Sequence, residues 1–279
     1  MASHEINERL VQAADQGDLA TVKDLLAQGA DIRSQNWLEF TPLTAAAGQG
    51  QGGDSPGNRL GTVQALLAAG ADVNATARLE RAPLHWAAYG SDVAITKALL
   101  DAGADVNQAD ALGHTALTIA AKYGTAEQIQ TLVQAGADPE VRPEIEGGKS
   151  ALVLAIKRAD SPFPPDRERP DRVKADKVRA LLEGGARIDH QDCDGLTALH
   201  VSAWNDLPET TRVLLEYGAD ATLVTRRGET AEDVVEGRDK EPHGNETKAI
   251  LVAERERLQL QEASGLTDDQ EPVHRSRRM

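Results

Sequence analysis

One short segment has the residue types and spacing of a hydrolase nucleophile. Residues Gly53-Asp54-Ser55-Pro56-Gly57 match G-x-S-x-G, which would make Ser55 the attacking group. That motif needs a strand before the serine and a helix after it, so that the turn exposes the hydroxyl. Here a glycine-rich stretch precedes the serine and no apolar strand does. A hydrolase working through Ser55 is therefore the least favoured interpretation.

Two further segments carry ligand atoms for phosphate or metal. Gly147-Gly148-Lys149-Ser150 resembles the end of a phosphate-binding loop, but Pro143 stands where the motif requires its first glycine. Residues 189–194 contain His190 and Cys193 among aspartates, whereas a structural zinc site needs four ligands with paired spacing. We predict an ordinary turn there, and neither a metal, a nucleotide nor another cofactor.

Two histidines could serve as an acid and a base. His85 and His200 occupy equivalent places in similar segments of the chain. A catalytic histidine needs a nucleophile or an orienting carboxylate nearby, and neither recurs beside these two. The sequence therefore predicts a protein that is not an enzyme, with no catalytic residues.

A repeat of about 33 residues is the strongest signal in the chain. Gly70-Ala71-Asp72, Gly103-Ala104-Asp105 and Gly136-Ala137-Asp138 follow one another at steps of 33, as do Gly185 and Gly218. A second phrase keeps the same register: Thr41-Pro42-Leu43, Ala82-Pro83-Leu84-His85, Thr115-Ala116-Leu117 and Thr197-Ala198-Leu199-His200. Such a period indicates a stack of one supersecondary unit and not a compact enzyme domain.

Each unit is predicted to contain two helices followed by a turn. A threonine side chain can accept a hydrogen bond from an early helical N–H, so Thr41, Thr115, Thr197 and Thr230 are predicted N-caps. The second helix has apolar residues at helical spacing, as in Ile95, Ala98 and Leu99. The glycine that follows suits the left-handed residue after a helix.

The pattern resembles the ankyrin-repeat family, whose units have a period of 33 and the phrase T-P-L-H-x-A. The resemblance is clearest from Arg78 to Asp110 and covers roughly residues 5–252. It implies an all-α fold, an α-solenoid of about seven stacked ankyrin repeats, each a helix-turn-helix with a β-hairpin-like loop. It also implies that His85 and His200 are structural braces between hairpins.

The predicted array spans residues 1–263 and is followed by a disordered tail, 264–279. Its units are an N-terminal cap (5–36), five repeats (37–77, 78–110, 111–143, 144–192 and 193–226) and a C-terminal cap (227–263). Two loop insertions, at residues 48–59 and 160–170, interrupt the period. Each is either a tolerated surface loop or an added contact with a partner. In the insertion at residues 160–170, such a contact would be centred on Phe163.

Composition limits the partners. The net charge is −15 and the isoelectric point about 4.9, which disfavours nucleic acid and favours a protein or peptide with a basic patch. The same charge also simply maintains solubility. There is one cysteine, no secretory signal and no long apolar stretch, so we expect a cytoplasmic monomer with no membrane contact.

In proteins of this family, ligands lie along the hairpin tips and the exposed side of the first helix. Carried over to this chain, the resemblance gives ten candidate contacts: Trp37, Phe40, Leu79, Arg81, Tyr89, Leu112, His114, Tyr123, Trp204 and Asn205. Other tip positions are Leu38, Arg78, Ile145, Lys149, Cys193 and Leu196.

Five aromatic residues fall among these candidates, and two roles remain open for them. They either anchor a partner or pack between adjacent units. If they anchor a partner, replacing Tyr123 and Trp204 together by alanine weakens binding and leaves folding intact.

The resemblance implies a non-catalytic protein–protein interaction module that binds its partner on the concave hairpin and first-helix face. The alternatives are a dedicated inhibitor or regulator of one enzyme, and an exported effector.

Overall fold

A computed structural model describes residues 3–48, 58–157, 170–236 and 245–264. Within those ranges fourteen α-helices form seven consecutive pairs. In chain order the pairs are α1 (Ser3–Asp15) with α2 (Leu19–Ala27), α3 (Pro42–Ala47) with α4 (Arg59–Ala68), α5 (Pro83–Gly90) with α6 (Val93–Asp101), α7 (Ala116–Tyr123) with α8 (Ala126–Gln134), α9 (Ala151–Ile156) with α10 (Pro170–Glu183), α11 (Ala198–Trp204) with α12 (Pro208–Glu216), and α13 (Ala231–Glu236) with α14 (Asn245–Ser264).

The pairs stack in two layers. The first helix of each unit contacts the first helix of the next, from α1 through to α13, and the second helices form a parallel series from α2 to α14. The loops contain two single-turn 3-10 helices and one isolated bridge, Ala77 with Arg81, and the described residues include no longer strand. The all-α solenoid predicted from the repeat is confirmed.

The core is a continuous apolar seam between the two layers. Alanines on the first helices, such as Ala87, Ala88, Ala120 and Ala121, are fully buried, which lets neighbouring helices approach closely. Larger side chains fill the space beside them. They are Leu84, Leu117, Leu152 and Leu199 from the first helices, and Val63, Ile95, Ile129, Val178 and Leu214 from the second.

The predicted helix caps are formed. The hydroxyl oxygens of Thr41, Thr115 and Thr197 each accept a hydrogen bond from the backbone N–H three residues later. Thr230 does the same for Asp233. The second helices have caps that were not predicted, from the side chains of Asp18, Asn58, Asp92 and Thr125. Each cap contributes about 1 kcal/mol to stability.

Side chains in the turns after the second helices connect neighbouring units. The Asn74 Oδ1 atom accepts the backbone N–H of Asp105 at 2.9 Å, and the Asn107 Oδ1 atom accepts that of Asp138 at 2.8 Å. Asp189 repeats the contact with the N–H of Asp220 at 2.9 Å. One acceptor per turn therefore fixes the position of the next turn along the stack.

Both predicted insertions fall largely outside the described residues, with Ser55, Phe163 and residues 265–279. At the edge of the first insertion, the Arg59 guanidinium donates to the carbonyl of Gly48 and, at 2.7 Å, to that of Asp15. These carbonyls lie at the ends of α3 and α1, so one side chain joins two units beside the insertion.

A glycine pair at equivalent hairpin positions gives a testable difference. Gly195 and Gly228 have φ values of 78° and 77°, where any side chain is strained. A Cβ atom at 195 would lie 2.8 Å from the backbone nitrogen of Arg226, whereas a Cβ at 228 meets no atom within 4 Å.

We therefore expect Gly195→Ala to lower the free energy of unfolding by about 3 kcal/mol and Gly228→Ala by about 1 kcal/mol. Urea denaturation of both variants measures the difference. Equal losses would show that the close approach at Gly195 relaxes without cost.

Candidate protein-binding surface

Asp110 holds the hairpin that precedes α7 in shape. Its Oδ1 atom accepts the backbone N–H groups of Leu112 and His114, both at 2.9 Å, and its Oδ2 atom accepts the Arg81 Nε–H at 2.9 Å. The side chain is fully buried. Burial alone raises the pKa of Asp110, but the hydrogen bonds from Arg81, His114 and Leu112 together lower it. The carboxylate is therefore a charged structural group.

Asp192 has the same role before α11. Its Oδ1 atom accepts the N–H groups of Asp194 and Leu196, at 2.9 and 3.0 Å. Its buried Oδ2 atom has no hydrogen-bond partner among the described residues. Asp192, Cys193 and Asp194 place three possible metal ligands within 4.8 Å of one another, one short of the four of a structural zinc site. The hairpin hydrogen bonds account for the Oδ1 atom of Asp192.

The predicted histidine braces are confirmed. The His85 Nε2 atom lies 3.1 Å from the His114 carbonyl oxygen of the next hairpin, and the His200 Nε2 atom lies 3.1 Å from that of Glu229. On the other side of the ring, His85 Nδ1 accepts the Ala82 N–H at 3.1 Å, as His200 Nδ1 accepts that of Thr197 at 3.3 Å. Each ring thus joins two hairpins.

Burial lowers the pKa of His85, His114 and His200 below the usual histidine value. The unfolded chain therefore binds more protons than the folded chain near pH 6.5, so their contribution is complete above about pH 6.5 and declines as the pH falls through the folded pKa values. We therefore expect the melting temperature to decrease as the pH is lowered from about 7.5 to about 5.5.

Thermal unfolding across this range measures the slope. The variant His200→Gln should show a shallower slope than the parent, because it removes one of the three buried histidines. A midpoint that rises on acidification would contradict the direction of the pKa shifts.

The aromatic candidates divide between the two roles left open by the sequence. Trp37, Tyr89 and Trp204 are 83, 43 and 53% exposed. Phe40 is half-buried against Trp86, with ring centroids 4.8 Å apart. Tyr123 is half-buried against the core, and its ring centroid lies 5.0 Å from that of Tyr89. The first three can contact a partner, while Phe40 and Tyr123 pack within the stack.

This packing changes the expectation for Tyr123. Its ring contacts Tyr89, lies 5.3 Å from the Lys122 ammonium and packs on the apolar core. Removing it therefore reduces stability as well as any binding, so Trp204 and Trp37 are the cleaner positions for a binding test.

The remaining candidates are less uniform than predicted. Leu79 is exposed and Leu112 half-buried. Arg81 is committed to its ion pair with Asp110, and its guanidinium lies 5.5 Å from the Trp86 ring centre. Asn205 is half-buried, and its side chain donates to the Val201 carbonyl at 2.8 Å.

His114 was expected at an exposed hairpin tip, and that placement is wrong. The residue is buried, because its backbone N–H bonds Asp110, its carbonyl contacts His85, and its ring lies beside the Thr118 hydroxyl. It belongs to the framework of the hairpin and not to the contact surface.

Four apolar residues predicted at the hairpin tips occupy equivalent positions along the stack, which the sequence analysis did not single out. Four successive hairpins each have an apolar second residue: Leu38, Leu79, Leu112 and Ile145. Ile145 is 63% exposed. We call these four residues the tip row. Aligning the hairpins in the repeat register is the signal that reveals it.

The fold is thus that of a repeat solenoid whose units are helix pairs joined by hairpins. Two family models match the chain, both described as ankyrin repeats: one of three copies at residues 55–143 and one of many copies at residues 181–234. The chain belongs to the ankyrin-repeat family. Ankyrin repeats generally mediate protein–protein interaction and are typically non-catalytic.

Similar segments occur in much larger proteins. The chain is 45% identical over 56 residues to human BCL-6 corepressor-like protein 1, a match covering 20% of this chain and 3% of that protein. It is 47% identical over 65 residues to the Caenorhabditis elegans ankyrin repeat and LEM domain-containing protein 1 homolog, covering 23% of this chain and 9% of that protein. The matches thus span a small part of these relatives.

Across the described ranges, none of the helices is both long enough and apolar enough to cross a membrane.

Proposed function

We propose that the chain is a non-catalytic binding module that holds a protein or peptide against its hairpin-and-first-helix face. This face consists of the hairpin tips and the exposed side of the first helices. An exposed apolar surface on a strongly charged protein is a feature of interaction sites.

One observation carries the proposal. The described residues include seven exposed large apolar side chains, and five of them belong to this face: Trp37, Leu79, Tyr89, Ile145 and Trp204. Of the other two, Val224 precedes the last hairpin and Leu260 lies on α14. Large aromatic side chains also provide most of the binding energy in typical interfaces.

The test is quantitative affinity capture from the cells of origin, read by mass spectrometry. The parent is compared with Trp37→Ala/Trp204→Ala and with Leu260→Ala, which removes an equally exposed apolar group away from this face. The partner should be recovered by the parent and by Leu260→Ala and be depleted about tenfold or more with the double variant. Equal recovery by all three proteins would refute the proposed face.

Dedicated regulation of one enzyme and action as an exported effector are narrower forms of the same proposal. The identity of the recovered partner separates them. An enzyme that loses activity when the chain is added supports the first.

A further inference from the structure

The tip row is accompanied by acidic residues in a strained conformation. Glu39 and Glu80 follow Leu38 and Leu79, and their φ values are 66° and 56°. The equivalent positions in three other hairpins are Gly113, Gly195 and Gly228, at φ values of 77° to 80°. Leu79 itself has a φ of 62°.

A left-handed conformation is costly for a residue with a side chain, and glycine adopts it freely. The second and third units therefore carry a glutamate where this fold accepts glycine without strain. Strain of this kind concentrates at functional sites, where a side chain is needed despite its cost. The side chains of Glu39 and Glu80 are both exposed, so they contribute little to packing.

The surface combines apolar and acidic groups. Glu39, Glu80 and Glu144 are exposed at the same tips as Trp37 and the tip row. Glu146 is already paired with Lys122 at 2.6 Å, and Lys149 donates to the Glu146 carbonyl. Arg78, directly before Leu79, is an exposed cation at the hairpin of the third unit. In the next two hairpins Asp194 and Arg227 replace the apolar residue, so the tip row ends at Ile145.

We propose that the tip row binds an extended peptide segment with an apolar residue at every third position and basic residues between them. This inference rests on the proposed function and adds the chemistry of the partner. The apolar side chains contact Leu38, Leu79, Leu112 and Ile145, and the basic groups pair with Glu39 and Glu80. The net charge of −15 attracts such a segment to the surface.

The distance between successive hairpin tips determines how often the peptide must present an apolar residue. Packed helices lie about 8–10 Å apart, so successive tips recur at about that distance. A polyproline II segment advances about 3.1 Å per residue and presents the same face every third residue, or about every 9 Å. A β-strand presents the same face about every 7 Å and loses register after one or two tips.

The probe is a fluorescein-labelled peptide of four Leu-Lys-Pro triplets, in which proline prevents a helix. Two matched peptides replace lysine by glutamine or place the leucines at alternate positions. Fluorescence anisotropy at low salt measures binding to the full chain. We expect the Leu-Lys-Pro peptide to bind about tenfold more tightly than either matched peptide, and to weaken as salt is added.

Variants separate charge from strain. Glu39→Gln/Glu80→Gln should weaken binding of the Leu-Lys-Pro peptide about tenfold with little change in melting temperature. Glu39→Gly/Glu80→Gly should weaken it equally and raise the melting temperature, because the strain is relieved. Asp24→Asn/Asp101→Asn removes two exposed charges from the second helices and should leave binding unchanged.

Absence of binding, equal binding of the lysine and glutamine peptides, or unchanged binding by the Glu39/Glu80 variants overturns this inference. The proposed function is judged separately by the affinity capture, which does not depend on the basic character of the partner.

Discussion

Replacing Leu117 with alanine is expected to lower the free energy of unfolding by about 3 kcal/mol. Leu117 is fully buried on α7, a helix that contacts α5 on one side and α9 on the other. Truncating it removes apolar contacts in the middle of the stack and leaves a cavity that neighbouring helices only partly fill. Because each unit contacts the unit on either side of it, the loss weakens two interfaces at once.

Urea denaturation followed by circular dichroism measures this change. Leu260→Ala is the control, since that side chain is 70% exposed and should change the stability by less than about 0.5 kcal/mol. Similar small losses in both variants would mean that the first helices do not form the buried seam described here.

The second large effect is expected at Asp110. Asp110→Ala removes the acceptor of two backbone N–H groups and of Arg81, and it leaves buried donors without partners. We expect a loss of about 3 kcal/mol, since each unsatisfied buried group costs about 1–3 kcal/mol and hydration partly compensates the half-buried Arg81.

Asp192→Ala provides the matched comparison. Asp192 also accepts two backbone N–H groups, but its second oxygen is buried and has no hydrogen-bond partner within the part of the chain that the structure describes. Its removal therefore also relieves an unfavourable burial. We expect a loss about 1 kcal/mol smaller than at Asp110. A larger loss at Asp192 would indicate that its second oxygen has a stabilising ligand.

The sequence predicted those features that depend on local chemistry repeated at a fixed interval. Thr41, Thr115 and Thr197 cap first helices because a threonine directly before a helix can accept an early backbone N–H with its hydroxyl oxygen. The braces at His85 and His200 followed from the family pattern. In both cases the residue and its partner keep one spacing in every unit where they occur.

The candidate surface was less predictable, because exposure depends on contacts between units. His114 occupies a tip position in sequence but is buried by Asp110, His85 and Thr118. Phe40 is partly covered by Trp86, which lies one unit further along the chain. The contact of Phe40 has no signal in the local sequence, whereas the aspartate four residues before His114 recurs as Asp192 before Leu196.

The strained glutamates illustrate the same limit. Glu39 and Glu80 look like ordinary surface residues in the sequence, and only their positive φ values distinguish them. The residue-by-residue comparison with Gly113 requires the hairpins to be superimposed in register. The repeat in the sequence provides that alignment, but only the backbone φ values show that the two glutamates are strained.

Photo-cross-linking tests the central claim most directly, because it reports which face touches the partner. A benzophenone amino acid is placed separately at positions 37 and 79 on the hairpin tips, and at positions 24 and 101 on the second helices. Irradiation in the cells of origin should yield one common cross-linked protein from positions 37 and 79 and none from 24 and 101. Cross-links only from 24 and 101 would place the partner on the opposite helices and contradict the account.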